Sequence, residues 1–95
     1  MKNDQFKIFQ RASRVLKVMA HPVRMQLVDI LLQDKEDSVG ELQKKIGISQ
    51  SMTSQHLSLL KGCGIIACKK EANICRYYIE NKDIINLIRC VENCA

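Results

Sequence analysis

One joint constrains this chain more than any other feature: Ser38-Val-Gly-Glu41, followed by Gly47 and then Ser49. Ser38 and Glu41 have the spacing of a capping box, in which the hydroxyl takes the N–H three residues on and the carboxylate reaches back. Gly47 suits the left-handed position that ends a helix. Ser49 opens a further helix with Met52, His56, Leu57 and Leu60 at recurring positions, and Gly62 and Gly64 end it. Two short helices joined across Gly47-Ile48 have the spacing of a helix-turn-helix.

The flanks complete the pattern. Phe6, Phe9, Ala12, Leu16 and Met19 recur at helical spacing, so residues 4–20 read as an amphipathic helix. His21-Pro22 breaks it, and Pro22 suits the first turn of a second helix that carries Val23, Leu27, Ile30 and Leu31 to about Gln33. Residues 34–37 read as a charged loop. After Gly64 the period changes. Ile65–Glu71 and Ile74–Glu80, separated by Ala72-Asn73, read as a two-stranded hairpin. Asn81 can cap a last helix with Ile84, Leu87, Ile88 and Val91 on its apolar face. The expected fold class is mainly α with a two-stranded β wing, in the order α-α-α-α-β-β-α, a winged helix-turn-helix. Residues 1–95 form one domain, with a dimer through the first and last helices to cover their apolar faces.

Composition narrows the partner. Fifteen Lys and Arg against ten Asp and Glu leave a net charge of +5. A small basic domain suggests a polyanion, although charge of either sign also serves solubility. The N-terminal residues carry no apolar signal segment, and no run approaches a membrane span, so a cytoplasmic protein without a membrane partner is expected. Nucleophile–base pairs, phosphate loops and usefully spaced carboxylate pairs are missing, which argues against an enzyme.

The helix after Ser49 is crowded with short hydrogen-bonding side chains: Gln50, Ser51, Thr53, Ser54 and Gln55. Base edges in a major groove offer donors and acceptors to such groups, and these five are the expected base contacts on double-stranded operator DNA. Lys44, Lys45, Lys61, Lys69, Lys70 and Arg76 are the expected phosphate contacts, which position a protein without specifying sequence. The plainer reading is a polar, solvent-facing helix. A winged-helix protein-interaction module would present an apolar or acidic helix face instead.

Leu16-Lys-Val-Met-Ala-His-Pro-Val-Arg-Met-Gln-Leu27, Val39-Gly-Glu-Leu42, Ile48-Ser-Gln-Ser-Met-Thr-Ser-Gln-His-Leu57 and Arg76-Tyr-Tyr78 together resemble the ArsR/SmtB repressors over nearly the whole chain. The resemblance implies a homodimeric repressor on an inverted-repeat operator, released by a chemical signal, with the first and last helices building the dimer. His21 and His56 match positions that such proteins use for structure or DNA docking. No H-x-x-x-H pair points to a histidine-rich zinc site.

The signal is where the chain departs from that family. Ser38 and Gly40 stand where its thiolate box needs cysteines, and no histidine follows His56 to build the zinc box of the last helix. Lys61-Gly-Cys-Gly64 resembles the cadmium/lead-sensing branch, but Leu59 replaces the partner thiolate. Ala20-His-Pro, Ser38-Val-Gly-Glu-Leu42 and Lys70-Glu-Ala72 resemble the thiol-based sulfide- and oxidant-sensing branch. Its early cysteine position holds Gln43, and Cys94 lies near the late one. Five cysteines in a reducing compartment make a structural disulfide framework improbable. Cys90 and Cys94 share one helix face, Cys68 and Cys75 face the same side of the wing as diagonal neighbours, and Cys63 ends a helix. These are candidate sensor thiols for a soft metal ion (Cd, Pb or Zn) or for reversible oxidation. The alternatives are that they only pack, as small hydrophobes, or that the protein binds DNA with no small-molecule sensor.

Overall fold

Local chemistry at each corner sets the order of elements in the computed structural model, which describes residues 3–94. Residues 1, 2 and 95 of the expected domain lie outside the described residues. Helix α1 (Asn3–Met19) stops at Ala20, and α2 (Pro22–Asp34) starts with Pro22 in its first turn. His21 caps α2: its Nδ1 accepts from the Val23 N–H at 3.2 Å. Helix α3 (Val39–Ile46) has both bonds of its capping box, Glu41 N–H to Ser38 Oγ at 3.2 Å and Ser38 N–H to Glu41 Oε1 at 3.0 Å. It ends at Gly47 with φ 81°, a conformation a side chain would strain. Helix α4 (Gln50–Gly62) follows, capped by Ser49, whose Oγ accepts from the Met52 N–H.

The hairpin pairs strands β2 (Ile66–Glu71) and β3 (Ile74–Ile79) through Ala72 and Asn73, at φ 50° and 66°. Two consecutive positive φ values are those of the type I′ turn, whose twist matches the strands it joins. A short strand, β1 (Glu36–Ser38), adds to the far side of β3, in the order β1-β3-β2. The segment expected as a charged loop instead ends in this strand, in register with Tyr78, Tyr77 and Arg76. Three residues are too few to display a period, and Glu, Asp and Ser are poor strand formers. The pairing comes from the open edge of β3.

The core is aliphatic. Leu27, Val28 and Leu31 of α2, Leu42 of α3, Leu57 and Leu60 of α4, and Ile65 and Ile66 close around one centre. Helix α5 (Ile84–Cys94) adds Ile84 and Ile88, so part of the face expected to need a partner is already buried within the chain; Val91 stays exposed. Helix α1 buries only Met19 and leaves Phe6, Ile8, Phe9 and Leu16 about half exposed. Among the described residues no helix is long and apolar enough to cross a membrane.

Candidate nucleic-acid interface

Helix α4 is built from two opposed stripes. Thr53, His56, Leu57 and Leu60 point into the core at the three- and four-residue spacing of a buried helix face. The opposite side carries Ser51, Gln55 and Ser58, all exposed, with half-buried Ser54 on its flank and exposed Gln50 at the first turn. Four of the five expected base contacts are therefore on reachable surface. Thr53 is not: it is fully buried, and its Oγ1 donates to the Ser49 carbonyl at 2.8 Å. Composition drew attention to Thr53, and helical phase removes it. The same phase brings in Ser58, which sequence reasoning passed over although it lies seven residues after Ser51 and three after Gln55.

The expected phosphate contacts divide. Lys45 bonds Asp34. Lys69 pairs with Glu36 at 3.0 Å and Glu71 at 3.5 Å. The Arg76 guanidinium lies 2.9 Å from Glu36 and 3.3 Å from Glu41. These cations hold Glu36 below the usual carboxylate range, and Glu36 in turn raises both Lys69 and Arg76. Arg76 thus fastens the wing to β1 and α3, a role opposite in kind to holding phosphate. Among the described residues Lys44, Lys61 and Lys70 form no ion pair within 4.0 Å, and Lys70 is exposed near the wing tip.

A cluster that sequence spacing hides holds α4 in place. His21 and His56 lie 35 positions apart in sequence, yet their rings sit with centroids 4.7 Å apart. Arg24 donates from Nε to His56 Nδ1 at 3.1 Å and from Nη1 to the Val18 carbonyl at 3.3 Å. Burial, with His21 and Arg24 nearby, lowers the His56 pKa, the direction that favours an Nδ1 free to accept from Arg24. The Nδ1 atoms of both rings are occupied by hydrogen bonds, and no group of three or more metal-ligating side chains occurs among the described residues.

The five cysteines are free thiols in three settings. Cys63 is half-buried, donates to the Leu60 carbonyl at 3.4 Å, and lines a groove of about 1080 Å³ among α1, α4 and α5. Cys90 and Cys94 are exposed on α5. Cys68 and Cys75 are half-buried on one face of the wing, opposite Tyr77 and Lys70 respectively.

Comparison with known proteins meets this geometry at its centre. A family model described as bacterial regulatory protein, arsR family, matches residues 21–67, from the α2 cap through α4 into β2. HTH-type transcriptional regulator YgaV of Escherichia coli is 33% identical over 84 residues, covering 88% of this chain and 85% of its own length. Transcriptional activator HlyU of Vibrio cholerae is 38% identical over 78 residues, covering 82% and 71%. A solved structure of HlyU superposes with a TM-score of 0.82 at 33% identity, covering 99% of this chain and 97% of that one. The biofilm growth-associated repressor of Xylella fastidiosa is 32% identical over 90 residues, covering 95% and 78%.

Proposed function

Because the chain belongs to the ArsR family of bacterial regulatory proteins and is a DNA-binding transcriptional regulator rather than an enzyme, we propose that it is a homodimeric repressor of an inverted-repeat operator in the cytoplasm, released by a thiol-directed signal. The observation that carries the DNA half is the polar outer stripe of α4, held by the His56–Arg24 anchor and flanked by Lys70 on the wing. Ser51, Ser54, Gln55 and Ser58, with Gln50 at the helix start, meet base edges. Gln supplies the paired donor and acceptor that adenine offers a partner for, and Ser meets several edges. Lys44, Lys61 and Lys70 hold phosphates.

Dimerisation is supported by the uncovered aromatic and aliphatic face of α1, continuous with the groove that Leu59 and Leu87 line. An apolar surface of that kind, on a chain with a two-fold operator to read, is covered economically by a second copy. The signal reading rests on five free thiols, and it admits either a soft metal ion (cadmium, lead or zinc) or an oxidising or sulfur species. Titration of labelled operator at several salt concentrations tests the DNA half. Affinity falls steeply and log-linearly with salt if phosphates dominate the contact; a complex indifferent to salt overturns the assignment.

A further inference from the structure

The wing carries a thiol pair that the DNA-reading geometry does not use. Cys68 stands opposite Tyr77 and Cys75 opposite Lys70, so the two cysteines are diagonal neighbours on the face that runs out from buried Ile66. Diagonal neighbours on one sheet face stand about 7–8 Å apart, beyond the span of a relaxed disulfide, so joining the two sulfurs requires the hairpin to twist further. Lys61, in the last turn of α4, reaches the same face. Cys68 first, and then Tyr77 and Cys75, raise its pKa. The end of the reading helix and the base of the wing therefore meet across a lysine and two half-buried thiols. Cys90 and Cys94 make the weaker pair for this role: they are exposed on α5 and lie outside the wing.

We propose that Cys68 and Cys75 form a two-electron redox site that couples the wing to operator release, with hydrogen peroxide as the oxidant. The proposal rests on the thiol-directed reading above and assigns that signal a place. The Cys68 thiolate attacks one peroxide oxygen; the S–O bond forms, the O–O bond breaks, and the leaving hydroxide takes a proton to become water. Cys75 then attacks the Cys68 sulfur. The S–S bond forms, the S–O bond breaks, and hydroxide leaves with the Cys75 proton as a second water. Two thiols are oxidised, one peroxide is reduced, and a dithiol reductant reverses the change. Closing the diagonal draws Cys68 away from Lys61 and re-aims Lys70, the cross-strand partner of Cys75, so that a wing phosphate contact moves.

The decisive protein is the full chain with Cys63, Cys90 and Cys94 changed to Ser, treated with hydrogen peroxide. Expected are a monomer lighter by two hydrogen atoms, both remaining thiols closed to alkylation until dithiothreitol is added, and operator affinity weakened roughly tenfold. Sulfenic acid or cross-linked dimers without that intramolecular bond overturn the proposal, as does a bond that leaves affinity unchanged. The reciprocal variant, Cys68→Ser with Cys75→Ser, is expected to ignore peroxide. If it responds as wild type does, the wing site falls while a thiol signal at Cys63, Cys90 or Cys94 stands. If a chain without any cysteine responds as wild type does, the thiol-directed reading itself falls.

Discussion

At Thr53 and Gln55, two positions apart on α4, the residue type alone is a poor guide to role. Both can bond a base, but one points to the core and the other to solvent. Gln55→Ala is expected to flatten the preference for operator over random DNA while sparing nonspecific affinity. Thr53→Val should leave that preference intact and cost about 1 kcal/mol of stability, from the lost bond to Ser49. Competition binding and thermal unfolding on the same two variants check the contrast. Asp37 presents a second residue-scale test. It is 2% exposed, its Oδ2 has no hydrogen-bond partner among the described residues, and burial together with Asp34 pushes its pKa from 3.8 up to about 6. The folded value exceeds the unfolded one, so the stability its protonated form contributes is complete below about pH 4 and is lost as pH rises through about 6. Asp37→Asn keeps the volume and removes the like charge. It is expected to gain on the order of 2 kcal/mol at pH 7.5 and to lose that segment of the pH dependence, as urea unfolding at several pH values would register. A wild-type profile retained by the variant refutes this account.

Among elements, what was legible in the chain was what local chemistry dictates. The capping box at Ser38, the left-handed Gly47, the Pro22 start and the Ala72-Asn73 turn each act within a few residues, and each occurs where the pattern places it. Interactions between distant segments were not legible. Strand β1 exists because β3 offers it an edge, and the ties of Arg76 to Glu36 and Glu41 span 40 and 35 positions. For the same reason a basic residue on the wing could be counted from sequence, but its occupation by carboxylates could not. The two classes of wing cation therefore separate experimentally. Arg76→Gln should lower the thermal midpoint, through loosening of β3 from β1 and α3, and leave the salt slope of operator binding unchanged. Lys70→Gln should leave the midpoint unchanged and make the slope shallower by about one per protomer. Equal behaviour of the two variants contradicts the division.

The chain measures 47 × 32 × 21 Å, and much of the apolar face of α1 is open. Phe9 is 51% exposed at the middle of that face. Phe9→Glu is expected to leave the chain folded but monomeric, since Phe9 contributes little to the core, and to weaken operator binding because two half-sites are no longer engaged together. Sedimentation and circular dichroism distinguish this outcome from unfolding; a variant that remains dimeric rejects α1 as the interface. The strand order β1-β3-β2 has a further consequence, one of solution behaviour. With β3 central and β1 short, the long edge that no strand of this chain covers among the described residues belongs to β2. An uncovered edge is a template onto which another molecule's strand can zip. Lys69, Lys70 and Glu71 occupy its outer half, and charges there make edge-to-edge stacking costly. The wing thus carries its own guard against clumping, in the same residues that sit nearest its tip.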